Sequence, residues 1–95
     1  MKKTAEERMQ SYKSEDSAIV RGYLIKTRGP SCQICEKPWH LIRSRSRQPV
    51  LKVDHDHATS KVRGLLCHSC NVGLGAFHDN PVLLAKAIEY LFSVQ

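Results

Sequence analysis

The sequence predicts a small α+β domain: a β-hairpin and the short helix after it, stapled by a metal and flanked by helices at both ends. Three features carry that expectation. Four cysteines fall in two CxxC pairs, Cys32/Cys35 and Cys67/Cys70. Between them, Val50-Leu51-Lys52-Val53 is rich in branched residues, and a turn and a second apolar run follow it. Helix-start signals with helically spaced apolar residues stand before residue 30 and after residue 79.

The elements follow in chain order. Thr4 with Glu7 three residues on has the form of a capping box, which predicts a helix from Ala5 to about Tyr12. Ser14 can cap a second helix in which Ile19, Val20, Tyr23 and Leu24 recur at helical spacing. Gly29-Pro30 ends it, because glycine accepts the left-handed cap and proline cannot continue the helix. That helix is expected to pack on the metal-bound core. After the first CxxC, Glu36-Lys37-Pro38 turns the chain, and Trp39, the sole tryptophan, is expected to cover the knuckle and supply core area. His40 is either a neighbour of that ring or a spare ligand.

Val50 to Val53 reads as a strand, Ala58-Thr59-Ser60 as a turn and Lys61 to Leu65 as the return strand. A helix starting around Leu66 to His68 ends near Gly73 to Gly75. Asn80 as cap and Pro81 at the first helical position open a last helix running to about Phe92. Its face of Leu84, Ala87, Ile88 and Leu91 is expected to pack partly on the core and partly on another chain, giving a weak homodimer. The division is therefore an N-terminal helical segment, 1–31, a metal-bound core, 32–78, and a C-terminal helix, 79–95, in a single domain.

Composition sets limits. A chain of 95 residues buries a modest share of its surface, and aromatic residues at 6% allow only a lean core, so the cysteines are its natural reinforcement. The net charge of +6 is uneven: +3 over residues 1–31, +4 over 32–66 and −1 over 67–95. A polyphosphate partner fits that distribution, as does a basic surface serving solubility. Glu6, Glu7 and Arg8 stand where a signal peptide would need an apolar stretch, and Lys86 and Glu89 interrupt the last apolar run, so neither a leader nor a membrane span is expected. The expected location is the cytoplasm, where thiols stay reduced and paired CxxC motifs bind metal more readily than they form disulfides.

Two CxxC pairs separated by 31 residues define a four-thiolate site. Tetrahedral zinc fits it and has no open position once four thiolates are bound, so the metal is structural; iron fits the same geometry and ranks behind zinc. A second constellation lies between and beside these ligands. Asp54, His55 next to it and Asn71 seventeen residues on can bring a divalent cation and a general base to one phosphodiester. Asp54 and His55 would point to opposite faces of a regular strand, so for both to reach one phosphate the motif must sit where the strand bends into the loop.

The run CxxC, then Asp54-His55-Asp56-His57, then Val62-Arg63-Gly64-Leu65-Leu66-Cys67-His68-Ser69-Cys70-Asn71 with a following Gly73-Leu74-Gly75 resembles the phage recombination endonuclease VII family, within the HNH or His-Me finger nucleases. The resemblance covers Cys32 to about Leu91. It implies a ββα-metal core in which Asp54 and Asn71 bind one catalytic Mg²⁺ or Mn²⁺ and His55 is the general base. A carboxylate and an amide oxygen suit a hard cation that keeps several waters, and neutral imidazole accepts a proton near neutral pH.

His57 is a supporting catalytic residue, a further phosphate or metal contact, or a polar loop residue. Asp56 is expected to orient the loop, and His68 and His78 to be structural. Arg43, Arg45, Arg47, Lys61 and Arg63 are candidate nucleic-acid contacts, with solvation equally open for the arginine loop and a surface strand position for Arg63. The long C-terminal helices of better-known members have no counterpart in the 24 residues after Asn71, so their junction specificity and dimer form are not implied. The expected function is a Mg²⁺-dependent DNA endonuclease or nickase, in the host cytoplasm if phage-encoded, acting alone or with a phage DNA-processing partner. The alternative is a catalytically silent zinc module that only binds nucleic acid.

Overall fold

The computed structural model describes residues 2–43 and 50–93. α1, Ala5–Gln10, opens with both hydrogen bonds of the Thr4/Glu7 capping box and ends two residues earlier than its sequence suggests. A 3-10 turn over Ser14–Asp16 leads into α2, Ser17–Arg28. Ser14 therefore starts the turn and not the helix. Asp16, almost buried, accepts from Arg8 Nη1 at 2.7 Å and from the Lys13 amide at 3.0 Å, which ties α1 to α2. Gly29 closes α2 with φ 90°, a conformation that disfavours side chains.

The hairpin is β1, Leu51–His55, paired antiparallel with β2, Val62–Cys67. Register runs from Leu51 opposite Cys67 to Asp54 opposite Gly64, then skips Arg63 so that His55 faces Val62. The extra residue, Arg63, makes a β-bulge on β2, while β1 runs through Asp54 to His55, its last residue. β2 runs two residues beyond its expected end and passes without a loop into α3, His68–Ala76, so Cys67 is both the last strand residue and the helix cap. α4, Pro81–Phe92, starts as expected, with the Asn80 side chain accepting from the Val82 and Leu83 amides.

The buried cluster is Val20 and Leu24 of α2, Leu51, Leu65, Leu66 and Cys67 of the hairpin, and Cys32. Leu65 and Leu66 point to opposite faces of their strand, yet both are buried, so the hairpin is covered on both sides. α2 and α3 each contact both strands, as expected for α2. Two long-range bonds fix α2: Arg21 Nε donates to the Leu51 carbonyl, and Arg28 Nη1 to the Arg63 carbonyl, both at 3.0 Å.

Three expectations of burial fail. Trp39 is 54% exposed and contributes no core, its indole meeting His40 edge-on at 6.0 Å, which makes His40 a ring neighbour. Ile19 lies on the outer side of α2. No residue of α4 joins the core cluster, which α2 and α3 already close: Leu83, Leu84 and Ala87 are half-buried, and Val82, Ile88, Leu91 and Phe92 are more than half exposed. Among the described residues, no helix is long and apolar enough to cross a membrane.

Candidate functional site

The four cysteines converge. Their sulfurs all lie within 4.8 Å of one another, with Cys35 and Cys67 Sγ 3.9 Å apart and no disulfide among them. Sulfurs bound at about 2.3 Å to one tetrahedral zinc stand roughly 3.8 Å apart, so the donor set and its spacing fit that ion. The thiols do not titrate alike. Burial works against a Cys32 thiolate, but amides of Cys67, Cys35 and Ile34 donate to it and bring it down to about 6. Burial and the neighbouring sulfurs push Cys70 up to about 12. Four thiolates so close together need a cation to replace their protons. The first knuckle is locked to the hairpin, since the Gln33 amide donates to the Leu65 carbonyl and its Oε1 accepts from the Leu65 amide.

An open cavity of about 690 Å³ lies on the α3 side of the hairpin, and Asp54, His57, Arg63, Asn71, His78 and Asp79 line it. Asn71 and Gly75, a turn apart on α3, face it together with Asp79 just past the helix end. Asp54 and Asn71, the carboxylate and amide expected to share a cation, both line it, and oxygen donors of these kinds suit Mg²⁺ or Mn²⁺. Asp54 is 8% exposed, and both its oxygens accept from Arg63: Nε to Oδ2 at 2.7 Å and Nη2 to Oδ1 at 3.0 Å. Those bonds, with a further one to Asp79, hold Arg63 firmly in its charged form.

His55 is half-buried beside the cavity and not among the residues lining it. Its ring stands between Tyr12, at 5.0 Å between centroids, and His57, at 4.7 Å. Tyr12 is brought there by its amide, which donates to the Ser60 carbonyl at 2.8 Å. Asp56 holds the turn: its Oδ1 accepts from the Ala58 and Thr59 amides, and those bonds, Thr59 first, depress its pKa. Arg43 and Lys61 are exposed, as is His68 at the start of α3, while Arg45 and Arg47 lie outside the described residues.

Tyr12 beside His55, Gln33 against the hairpin and Asp79 on the cavity wall are not among the sequence's candidate residues, and His78, expected to be structural, lines the cavity. Tyr12 and Gln33 arrive by long-range contacts that no spacing encodes.

The recombination endonuclease VII family matches residues 5–93. The Gene 59 protein of Mycobacterium phage L5 is 42% identical over 71 residues, 74% of this chain and 40% of that protein. The Gene 59 protein of Mycobacterium phage D29 is 43% identical over 69 residues, covering 72% and 38%. The chain thus spans about two-fifths of the length of these curated relatives. The crystal structure of the β-β-α-Me type II restriction endonuclease Hpy99I superposes with a TM-score of 0.54 and 45% identity, over 68% of this chain and 32% of that one.

Proposed function

The chain belongs to the recombination endonuclease VII family, and on that premise we propose that it is a metal-dependent DNA endonuclease or nickase in phage DNA processing. The observation that carries the proposal is the cavity that Asp54 of the hairpin and Asn71 of α3 line together, with His57 of the same motif on its wall and His55 against that ring. Cys32, Cys35, Cys67 and Cys70 hold one structural zinc, which fixes the start of α3, and hence Asn71, against the hairpin.

Asp54 and Asn71 hold one Mg²⁺ or Mn²⁺. When bound, that ion stabilises the charge that grows on the scissile phosphate and on the departing 3′ oxygen. His55 accepts the proton of the attacking water, and the products carry 5′-phosphate and 3′-hydroxyl ends. The Tyr12 ring and His57 limit the positions open to the His55 imidazole, which favours one orientation for proton transfer. Arg43, Lys61 and Arg63 meet the phosphates of the strand. A second assignment has one observation in its favour: His57 lines the cavity and His55 does not, so the proton can pass to His57.

The test is incubation of the purified chain with linear, supercoiled, single-stranded and four-way-junction DNA, with Mg²⁺ or EDTA. Cleavage of at least one form in Mg²⁺ and none in EDTA is expected. Salt-dependent binding without cleavage of any form would leave a nucleic-acid-binding module instead.

A further inference from the structure

Arg63 is shared between two carboxylates. Its Nε and Nη2 form a fork on both oxygens of Asp54, and Nη2 also reaches Asp79 Oδ2 at 3.3 Å. Asp54 is close to fully buried, so little water competes for its oxygens, whereas the Asp79 side chain is 26% exposed. Asp79 is delivered to this end of the cavity by the way α3 stops. His78 and Asp79 take left-handed φ values of 56° and 53°, and the Asp79 amide turns back to the Leu74 carbonyl at 2.9 Å. Left-handed pairs of non-glycine residues are disfavoured, and this one puts a carboxylate beside the Arg63 guanidinium.

A guanidinium forked on Asp54 and a divalent cation held by Asp54 and Asn71 draw on the same carboxylate. Two positive charges crowd each other there, and the fork already takes a lone pair on each oxygen. The cation binds best when the fork opens, and the guanidinium then needs another acceptor. Asp79 is within its reach and partly free. We infer that Arg63 competes with the catalytic cation for Asp54 and that Asp79 is the positioning residue that draws Arg63 aside; the inference deepens the function proposed above and rests on it. Arg63 then stays at the cavity rim beside the ion, held by Asp79, and its charge is not lost to solvent.

The test is Mn²⁺ binding to the zinc-loaded full chain without DNA, read from the loss of the free-ion paramagnetic resonance signal. Arg63→Gln is expected to bind Mn²⁺ about tenfold more tightly and Asp79→Asn about tenfold more weakly, the worth of one charge-assisted hydrogen bond. In the Arg63→Gln background, Asp79→Asn is expected to change nothing, because Asp79 acts through Arg63. A double variant that returns to wild-type affinity means simple charge addition and overturns the inference, as does unchanged affinity in Arg63→Gln. If Arg63→Gln loses zinc, Arg63→Lys takes its place: it keeps the charge, cannot form the planar fork and should tighten binding severalfold. Asp54→Asn and Asn71→Ala separate the two levels. Mn²⁺ binding indifferent to both puts the ion elsewhere and removes the proposed site with the inference. Binding lost in both but indifferent to Arg63 removes the inference alone.

Discussion

The Gln33 carboxamide lies directly over the Cα of Gly64, where a β-carbon would overlap it. Gln33 cannot simply swing away, because its Oε1 accepts from the Leu65 amide at 3.0 Å and from Arg28 Nη1 at 3.3 Å. Gly64→Ala is therefore expected to cost about 1–3 kcal/mol, the loss of those bonds with local overpacking. In a Gln33→Ala background the cost should largely vanish. Gly73 in α3 has open space around its would-be β-carbon, and Gly73→Ala should stabilise by about 0.5–1 kcal/mol through the helix backbone. Urea unfolding of the zinc-loaded chain measures all three, and a Gly64→Ala protein as stable as wild type would remove the steric account.

Arg8 joins α1 to the start of α2 through Asp16, and it holds the Asp16 carboxyl below the usual range, with the Lys13 amide assisting. A carboxyl with a depressed folded pKa stabilises the fold fully above its unfolded value, about 3.9, and that contribution fades as pH falls through the folded value. Asp16→Asn should thus be less stable than wild type near neutrality, and the gap should close below about pH 4. Denaturation midpoints compared at matched pH test this. A gap that widens towards acid reverses the sign and refutes it.

Much of the framework is legible in the sequence, and the reason is locality. A capping box such as Thr4/Glu7, a proline after Asn80 and cysteines three apart act over one helical turn, so their spacing is their chemistry. What failed depends on partners distant in sequence. Helical spacing says that Ile19 or Leu91 lies on an apolar face, but not whether another element covers it. Trp39 is large and apolar, yet burial needs a surface to meet, and α2 and α3 had already closed the core. Tyr12 beside His55 and Asp79 beside Arg63 are products of the packed chain, with no local pattern to announce them.

Zinc at the four cysteines predicts about one tightly held ion per chain by metal analysis. Structural zinc in small finger peptides is worth about 10–16 kcal/mol, comparable to the whole stability of a domain. Cys67 caps α3 and ends β2, so Cys67→Ser is expected to lose both zinc and fold. Circular dichroism with zinc analysis decides it, and a folded, zinc-free Cys67→Ser protein would show that the cluster does not hold the structure together.

α4 exposes Val82, Ile88, Leu91 and Phe92, and the self-association expected of its apolar face should be weak and dependent on concentration. Leu91→Glu should abolish it while changing unfolding stability by no more than about 0.5 kcal/mol, since the residue is a surface one. Sedimentation velocity over a wide concentration range, paired with urea unfolding, measures both. A monomer at every concentration would leave α4 without that role.

His55→Ala separates catalysis from binding. The side chain is half-buried between Tyr12 and His57 and is a partner of neither the four clustered cysteines nor the Arg63–Asp54 pair, so its removal should leave zinc, fold and salt-dependent DNA affinity in place. If His55 is the general base, cleavage falls by about 10² to 10⁴-fold, the usual worth of positioned proton transfer. Asp54→Ala and Asn71→Ala fail differently, through weak cation binding, and excess Mn²⁺ should restore part of their activity while doing nothing for His55→Ala. His57→Ala completes the set: a small loss assigns it to holding the neighbouring ring, and a loss as large as that of His55→Ala, without change in the fold, makes the two imidazoles act as one unit. Tyr12→Leu keeps bulk against His55 and should cost much less than either. A folded His55→Ala protein that cleaves at the wild-type rate would transfer the base to His57, the histidine on the cavity wall.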